Sequence, residues 1–338
     1  MSTNTHNQNS NFIPDILRSL LAITIGILLS KYTDLSFNFQ IPIIAFGVVT
    51  TMKTFSIKLF FYNYWWIPFF AGVGLLFTEI FRENLLAFAS ITFIIFFSCF
   101  FFSYKHPNGI RSSILGYSFT SIYATYNDKI VENMVTDIVL VTILGGLIGW
   151  GLLLIFPTGK TNLEMKKSNR EDIHKNIIHI LIITIIVFSL WLGYMFFDIR
   201  DTFFAYATLA GIYTNLNLEK IHKLSFLNIF IHSLGCFFAI IFSFFINGIG
   251  NNPIIFAFAL MIFIYPMVFM GYYGKSQLQK NFFLGMIRAI ILPICLYLTP
   301  YGDIITKAST RALQITIFLI FSMFLTRFLL FIEGGTNE

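Results

Sequence analysis

Residues Pro157–Asn176 read PTGKTNLEMKKSNREDIHKN. This is the only long polar run inside the chain, and it falls near the midpoint. On either side lies a series of apolar segments, most of them close to the roughly 20 residues that a helix needs to cross a bilayer core. The run carries Lys160, Lys166, Lys167, Arg170 and Lys175 against Glu164, Glu171 and Asp172. Basic loops beside membrane spans stay in the cytoplasm, so this linker fixes the expected orientation of both halves. Its first residues, Pro157-Thr-Gly-Lys-Thr, end like a phosphate-binding loop. That motif needs a Gly where Leu154 stands and a strand leading in, so a helix stop is the better reading.

Composition narrows the class. Apolar residues make up 57% of the chain and charged ones 11%, more apolar surface than a soluble protein of this length hides. The apolar runs are continuous rather than alternating, which excludes a β-barrel. The net charge of +6 follows from basic loops and does not point to nucleic acid. Cys99, Cys236 and Cys295 lie in apolar runs, too far apart for a metal motif, and read as small core residues. No cofactor is expected. Met1–Pro14 lacks the pattern of a signal peptide and reads as a disordered cytoplasmic tail.

The expected fold is all-α and polytopic, with about twelve transmembrane helices. The first six spans are Ile16–Leu29, Phe39–Met52, Leu59–Phe77, Leu85–Phe102, Ile110–Tyr126 and Ile138–Phe156. The second six are Ile177–Phe197, Thr202–Leu216, Leu224–Ile246, Pro253–Met270, Phe282–Leu298 and Ala312–Ile332. Asn127–Asp137 and Tyr301–Arg311 read as loops. Residues 15–157 and 174–333 then form two six-helix repeats, joined by a cytoplasmic linker at 158–173. With both termini inside, Lys53, Lys58, Lys105, Arg111, the linker bases, Lys220, Lys223, Lys275, Lys280 and Arg327 fall inside, against Lys31, Arg82, Lys129, Arg200, Lys307 and Arg311 outside. Asp34, Glu79, Glu83, Asp128, Glu132, Asp137, Asp198, Asp201 and Asp303 also fall outside, a bias consistent with the positive-inside rule. The halves echo each other: the second and eighth spans are short, and the fifth and eleventh carry Arg and Gly. An even number of spans per repeat makes the repeats parallel.

Three stretches carry a resemblance. They are the short second span after Phe39-Gln40-Ile41-Pro42, the IRSSILGYS run that contains Arg111–Tyr117, and Asp137–Pro157, DIVLVTILGGLIGWGLLLIFP. In these the chain resembles the fusaric acid resistance-like superfamily, which includes aromatic acid exporters, and most resembles its compact branch of two six-span halves. The likeness runs through Ile16–Pro157 and His174–Ile332. It implies a proton-driven exporter of small organic anions, aromatic carboxylic acids first, in the bacterial inner membrane. It also implies a periplasmic membrane-fusion adaptor as partner. A homo-oligomer, a dimer first, is expected beside it. Long members carry a large cytoplasmic domain where this chain has only the linker. The fold also resembles plant malate channels, which keeps an anion channel as the alternative. A membrane-embedded transferase is the third reading, but such an enzyme needs several polar groups converging at one membrane face. No enzymatic activity is expected.

Ionisable side chains within apolar spans are costly and mark function. Arg288, about two turns into the eleventh span, offers a bidentate fork for a carboxylate, or snorkels to a headgroup. Arg111 begins the matching fifth span and serves as a second anion ligand or as a basic anchor. Tyr117, Tyr206 and Tyr213 stack on an aromatic substrate or line helix contacts. For proton coupling the candidates are Asp198 and Asp201, Asp137 and His232. Each has a plainer role: a solvated turn, a helix cap, an interhelix hydrogen bond. Gly145, Gly146, Gly149 and Gly151 point to close helix packing. The expected substrate path is lined by spans 2, 5, 8 and 11, because short or Pro/Gly-interrupted spans at matching places in two repeats mark transporter sites.

Overall fold

The computed structural model describes residues 13–102, 107–126, 131–157, 177–197, 203–247, 252–298 and 303–335. Residues 158–176, which include the expected linker at 158–173, and 198–202, which include Asp198 and Asp201, lie outside them. The described residues form thirteen helices and no strand. The first half holds α1 (Ile13–Tyr32), α2 (Gln40–Thr51), α3 (Ile57–Tyr64), α4 (Trp66–Phe81), α5 (Leu85–Phe102), α6 (Pro107–Tyr126) and α7 (Val131–Ile155). The second half holds α8 (Ile177–Phe197), α9 (Phe203–Tyr213), α10 (Leu218–Ile246), α11 (Pro253–Tyr273), α12 (Gln277–Tyr297) and α13 (Ile304–Gly335). Eight of these are long and apolar enough to cross a membrane, or nine if the bent α3–α4 pair is one span. The chain is a polytopic helical membrane protein. Rows of exposed Phe, Ile and Leu, such as Leu313, Ile317, Phe321, Phe324 and Phe328 along α13, suit a lipid solvent.

Helix starts are written into the sequence as caps. The Asn252 side chain accepts from the amides of Ile254 and Ile255, with Pro253 at the first helical position. Ser276 accepts from Gln279, Asn217 from Lys220, Asn84 from Ala87 and Asp303 from Thr306. The Asp303 cap corrects one expectation: Tyr301–Arg311 is not all loop, because α13 begins at Ile304. Ile304, Ala308, Arg311, Ile315 and Leu319 then form one buried stripe at helical spacing. Likewise α7 begins at Val131, so Asp137 lies in its second turn rather than at its cap. The third span, expected as one piece from Leu59 to Phe77, is bent by 41° between α3 and α4. Pro68 explains the break. It has no amide to give the Tyr64 carbonyl, so the helical ladder fails one turn upstream.

The helices gather into two compact units, each drawn from both halves of the sequence. The first unit contains α1, α2, the end of α7, the later part of α10, α11, α12 and the start of α13. In it α1 packs on α2, α11 and α12, and α12 also touches α2. The second contains α4, α5, α6, the start of α7, α8, α9, the early part of α10 and most of α13. In it α4 packs along α6, α5 on α8, and α9 on both α6 and α8.

Both units are built around a helix too short to span. At 1.5 Å per residue, α2 is about 18 Å long and α9 about 17 Å, against a core of about 30 Å. Such helices survive at membrane depth only when protein surrounds them. Ile41, Ala45, Phe46 and Val48 of α2 are all inaccessible, as is Tyr206 of α9. Close approach needs small residues. A Cβ on Gly26 would lie 2.5 Å from Pro42 Cα, which lets α1 lie directly on α2. Gly145 and Gly149 of α7 receive Ile44 and Val48 of α2, the close packing expected of that stretch, whereas Gly151 faces open space. The only non-glycine positive φ values among the described residues belong to Phe37 (68°), just before α2, and Leu216 (57°), just after α9.

Candidate functional site

Two helix pairs hold most of the expected site residues. In the first unit α2 meets α12, and the Arg288 guanidinium carbon lies 6.0 Å from the centroid of the Phe46 ring. That is the outer limit of a cation–π contact. Phe46 is inaccessible, whereas Arg288 is exposed on its helix. A guanidinium is the side chain best suited to pair with a carboxylate or other planar anion. Pro293 lies further along α12, which remains one continuous helix through it.

In the second unit α6 meets α9, and the described side chains there are neutral. The hydroxyls of Tyr206 and Ser118 are 2.8 Å apart. One turn away, Trp191 Nε1 donates to Ser121 Oγ at 3.0 Å. The Tyr117 hydroxyl is paired with Thr92 of α5 at 2.7 Å. Tyr213 accepts from Ser322 of α13 at 3.1 Å. The rings of Tyr194, Tyr206 and Phe203 pack side by side around these bonds. This accounts for the semi-polar character of α6. Its buried hydroxyls have partners, and Thr120 and Thr125 return theirs to the carbonyls of Gly116 and Ser121. Tyr117, Tyr206 and Tyr213 are therefore fully packed, with their hydroxyls engaged by neighbouring helices.

The remaining candidates are Arg111, Asp137, Asp198, Asp201 and His232. Arg111 lies in α6, but its side chain is outside the described part, as are Asp198 and Asp201. Asp137 is half-buried on α7 in the second unit, and His232 is half-buried on α10 in the first.

No family model, curated protein or solved structure matches the chain. Function has to be read from the residues themselves.

Sequence reasoning overlooked two buried arginines. Arg18 is 3% exposed within α1 and paired with Asp15 one turn earlier. Its Nη1 also reaches the Phe156 carbonyl at 3.5 Å, where the C-terminus of α7 favours a cation. Beside it Ser19 and Tyr272 share a hydrogen bond of 2.8 Å, tying α1 to α11. The i,i+3 spacing of Asp15 and Arg18 was a readable signal for this pair. Arg311 is 4% exposed on α13. It was hidden by reading its segment as loop. Asp303, just ahead of α13, is held below the ordinary carboxylate range by its hydrogen bonds from Thr306. Among the described residues no group of His, Cys, Asp and Glu is placed to hold a metal.

Proposed function

We propose that this protein is a multi-pass exporter of small organic anions, aromatic carboxylates first, driven by protons across the bacterial inner membrane. The observation that carries the reading is the α2–α12 pair, where a short buried helix presents Phe46 to the Arg288 guanidinium. An anion crossing a bilayer needs a cationic partner at depth, and intramembrane Arg is otherwise rare. The resemblance of the IRSSILGYS and Asp137–Pro157 stretches to the fusaric acid resistance-like superfamily points the same way.

The proposal includes twelve segments in two six-helix repeats, with both termini and the linker cytoplasmic. The eight long helices, the bent α3–α4 pair, the two short helices and α6 make these twelve. The packing lends support, since one pattern recurs with the halves exchanged. The first and second helices of one half, α1 and α2, lie on the fourth and fifth of the other, α11 and α12. In the second unit α8 and α9 lie in the same way on α5 and α6. A periplasmic adaptor belongs to the proposal on the strength of the resemblance alone, and a homo-oligomer stands beside it as an expectation.

Reconstituted vesicles test it. Uphill benzoate flux that requires an imposed proton gradient is the expected result. Benzoate conductance indifferent to the gradient would assign an anion channel instead. Vesicles that pass no organic anion under either condition would end the transport reading.

A further inference from the structure

One end of the first unit gathers a carboxylate and the groups that would bind one. Arg18, in the second turn of α1, is 3% exposed and paired with Asp15, whose side chain is 17% exposed. The ends of three other helices reach the pair. Phe156, just past α7, accepts from Arg18 Nη1 through its carbonyl. Lys53, just past α2, acts by its charge on the Asp15 carboxylate. Tyr272, near the end of α11, lies within electrostatic reach of both Asp15 and Arg18 and shares a hydrogen bond with Ser19.

A purely structural role does not account for this arginine. Asp15 and Arg18 are three residues apart on one helix, so their pair ties α1 to no neighbour. The bond from Nη1 to Phe156 is 3.5 Å long, beyond the usual range for a hydrogen bond. Nε is buried with no partner. An arginine retained for stability would have its buried donors satisfied, and a well-packed apolar side chain would be at least as stable in its place. Ionisable groups kept at such a cost inside a membrane protein point to the path of a charged substrate. Asp15 supplies the chemical clue. What Arg18 holds is a carboxylate, the group that the proposed substrates carry.

We propose that Arg18 is the entry site for the substrate carboxylate, and that Asp15 occupies this site until substrate arrives. The incoming carboxylate takes the guanidinium, and Asp15 turns to the Lys53 ammonium, so that neither charge is left buried alone. In the orientation proposed above, the start of α1 and the ends of α2, α7 and α11 all fall on the inner side, where an exporter collects its substrate. The inference rests on the transport reading but not on Arg288, and it makes Asp15 an internal competitor of the substrate.

Calorimetric titration of benzoate into the full chain in neutral detergent, at constant ionic strength, tests this. It is run in wild type and in Arg288→Gln, so that binding at Arg288 does not mask the result. Removing a competitor has the opposite sign to removing a structural tie. The folded fraction of Asp15→Asn should bind benzoate several-fold more tightly than the parent protein, and Asp15→Asn/Arg18→Met should lose that gain. Lys53→Gln, which leaves the pair intact, should bind several-fold more weakly, whereas Lys58→Gln, an exposed lysine expected on the same inner side, should bind as the parent does. Unchanged or weaker binding in Asp15→Asn overturns the entry site. If Asp15→Asn yields no folded protein, the two lysine variants decide, and equal affinities in them overturn it. Where benzoate flux in vesicles persists beside either negative result, the entry site alone fails and the transport reading stands. A wild type that neither binds nor moves benzoate overturns both.

Discussion

The hydroxyls of Ser118 and Tyr206 are 2.8 Å apart and both side chains are inaccessible. They join the semi-polar α6 of one sequence half to the short α9 of the other. Removing one partner leaves the other buried and unsatisfied, which costs about 1–3 kcal/mol. Tyr206→Phe and Ser118→Ala should each lower stability by that order. Their double-mutant cycle in detergent unfolding should give a coupling of about 0.6 kcal/mol, the usual size for membrane helix pairs. Zero coupling would mean the two hydroxyls do not share a bond.

Asp15 and Arg18 form a pair at the start of α1 in which the arginine is 3% exposed. Breaking a buried pair from one side leaves an uncompensated charge and costs roughly 3–5 kcal/mol. Asp15→Asn should therefore reduce the folded yield sharply, and Asp15→Asn/Arg18→Met should recover much of it. Size-exclusion profiles of detergent extracts read this directly. A double variant worse than Asp15→Asn would contradict the pairing.

Gly26 and Gly151 make a matched comparison. A side chain at Gly26 would run into the backbone of Pro42, while at Gly151 it would meet nothing within 4 Å. Gly26→Val should prevent α1 from seating on α2 and lower the unfolding midpoint well below that of Gly151→Val. Equal midpoints would show that the contact is dispensable.

Arg288 should matter through its charge. Arg288→Lys is expected to retain partial benzoate flux, and Arg288→Gln to lose about tenfold or more, the effect of one charge-assisted contact of roughly 1.5–3 kcal/mol. Expression should hold, because the side chain is exposed on α12. Normal flux in Arg288→Gln would remove this residue from the path.

Orientation has its own test. A Ser168→Cys substitution in the linker should resist an impermeant thiol reagent added outside intact cells and label after lysis. Ready labelling from outside would invert the proposed topology.

Membrane class and most helices follow from the sequence by itself. Long apolar runs have no other use, and caps such as Asn252, Ser276 and Asn217 mark where helices begin. The shortness of the second and eighth segments was equally legible, and α2 and α9 are short in the structure. What the sequence could not say is which helix lies on which. In α5, LLAFASITFIIFFSCFFF, the buried Phe88, Thr92, Phe96 and Cys99 alternate with exposed residues that are just as apolar. Lipid is as apolar as the protein interior, so no polar face remains to betray the buried one. Partner choice rests instead on close contacts, such as Pro42 on Gly26, and on hydroxyl pairs, such as Ser118 with Tyr206. The same blindness hid Arg18, inside the expected first span, and Arg311, at the end of an expected loop, until packing enclosed them. Tertiary structure decided these points because shape and hydrogen-bond complementarity between distant segments leave no local signature in a chain whose solvent is itself hydrocarbon.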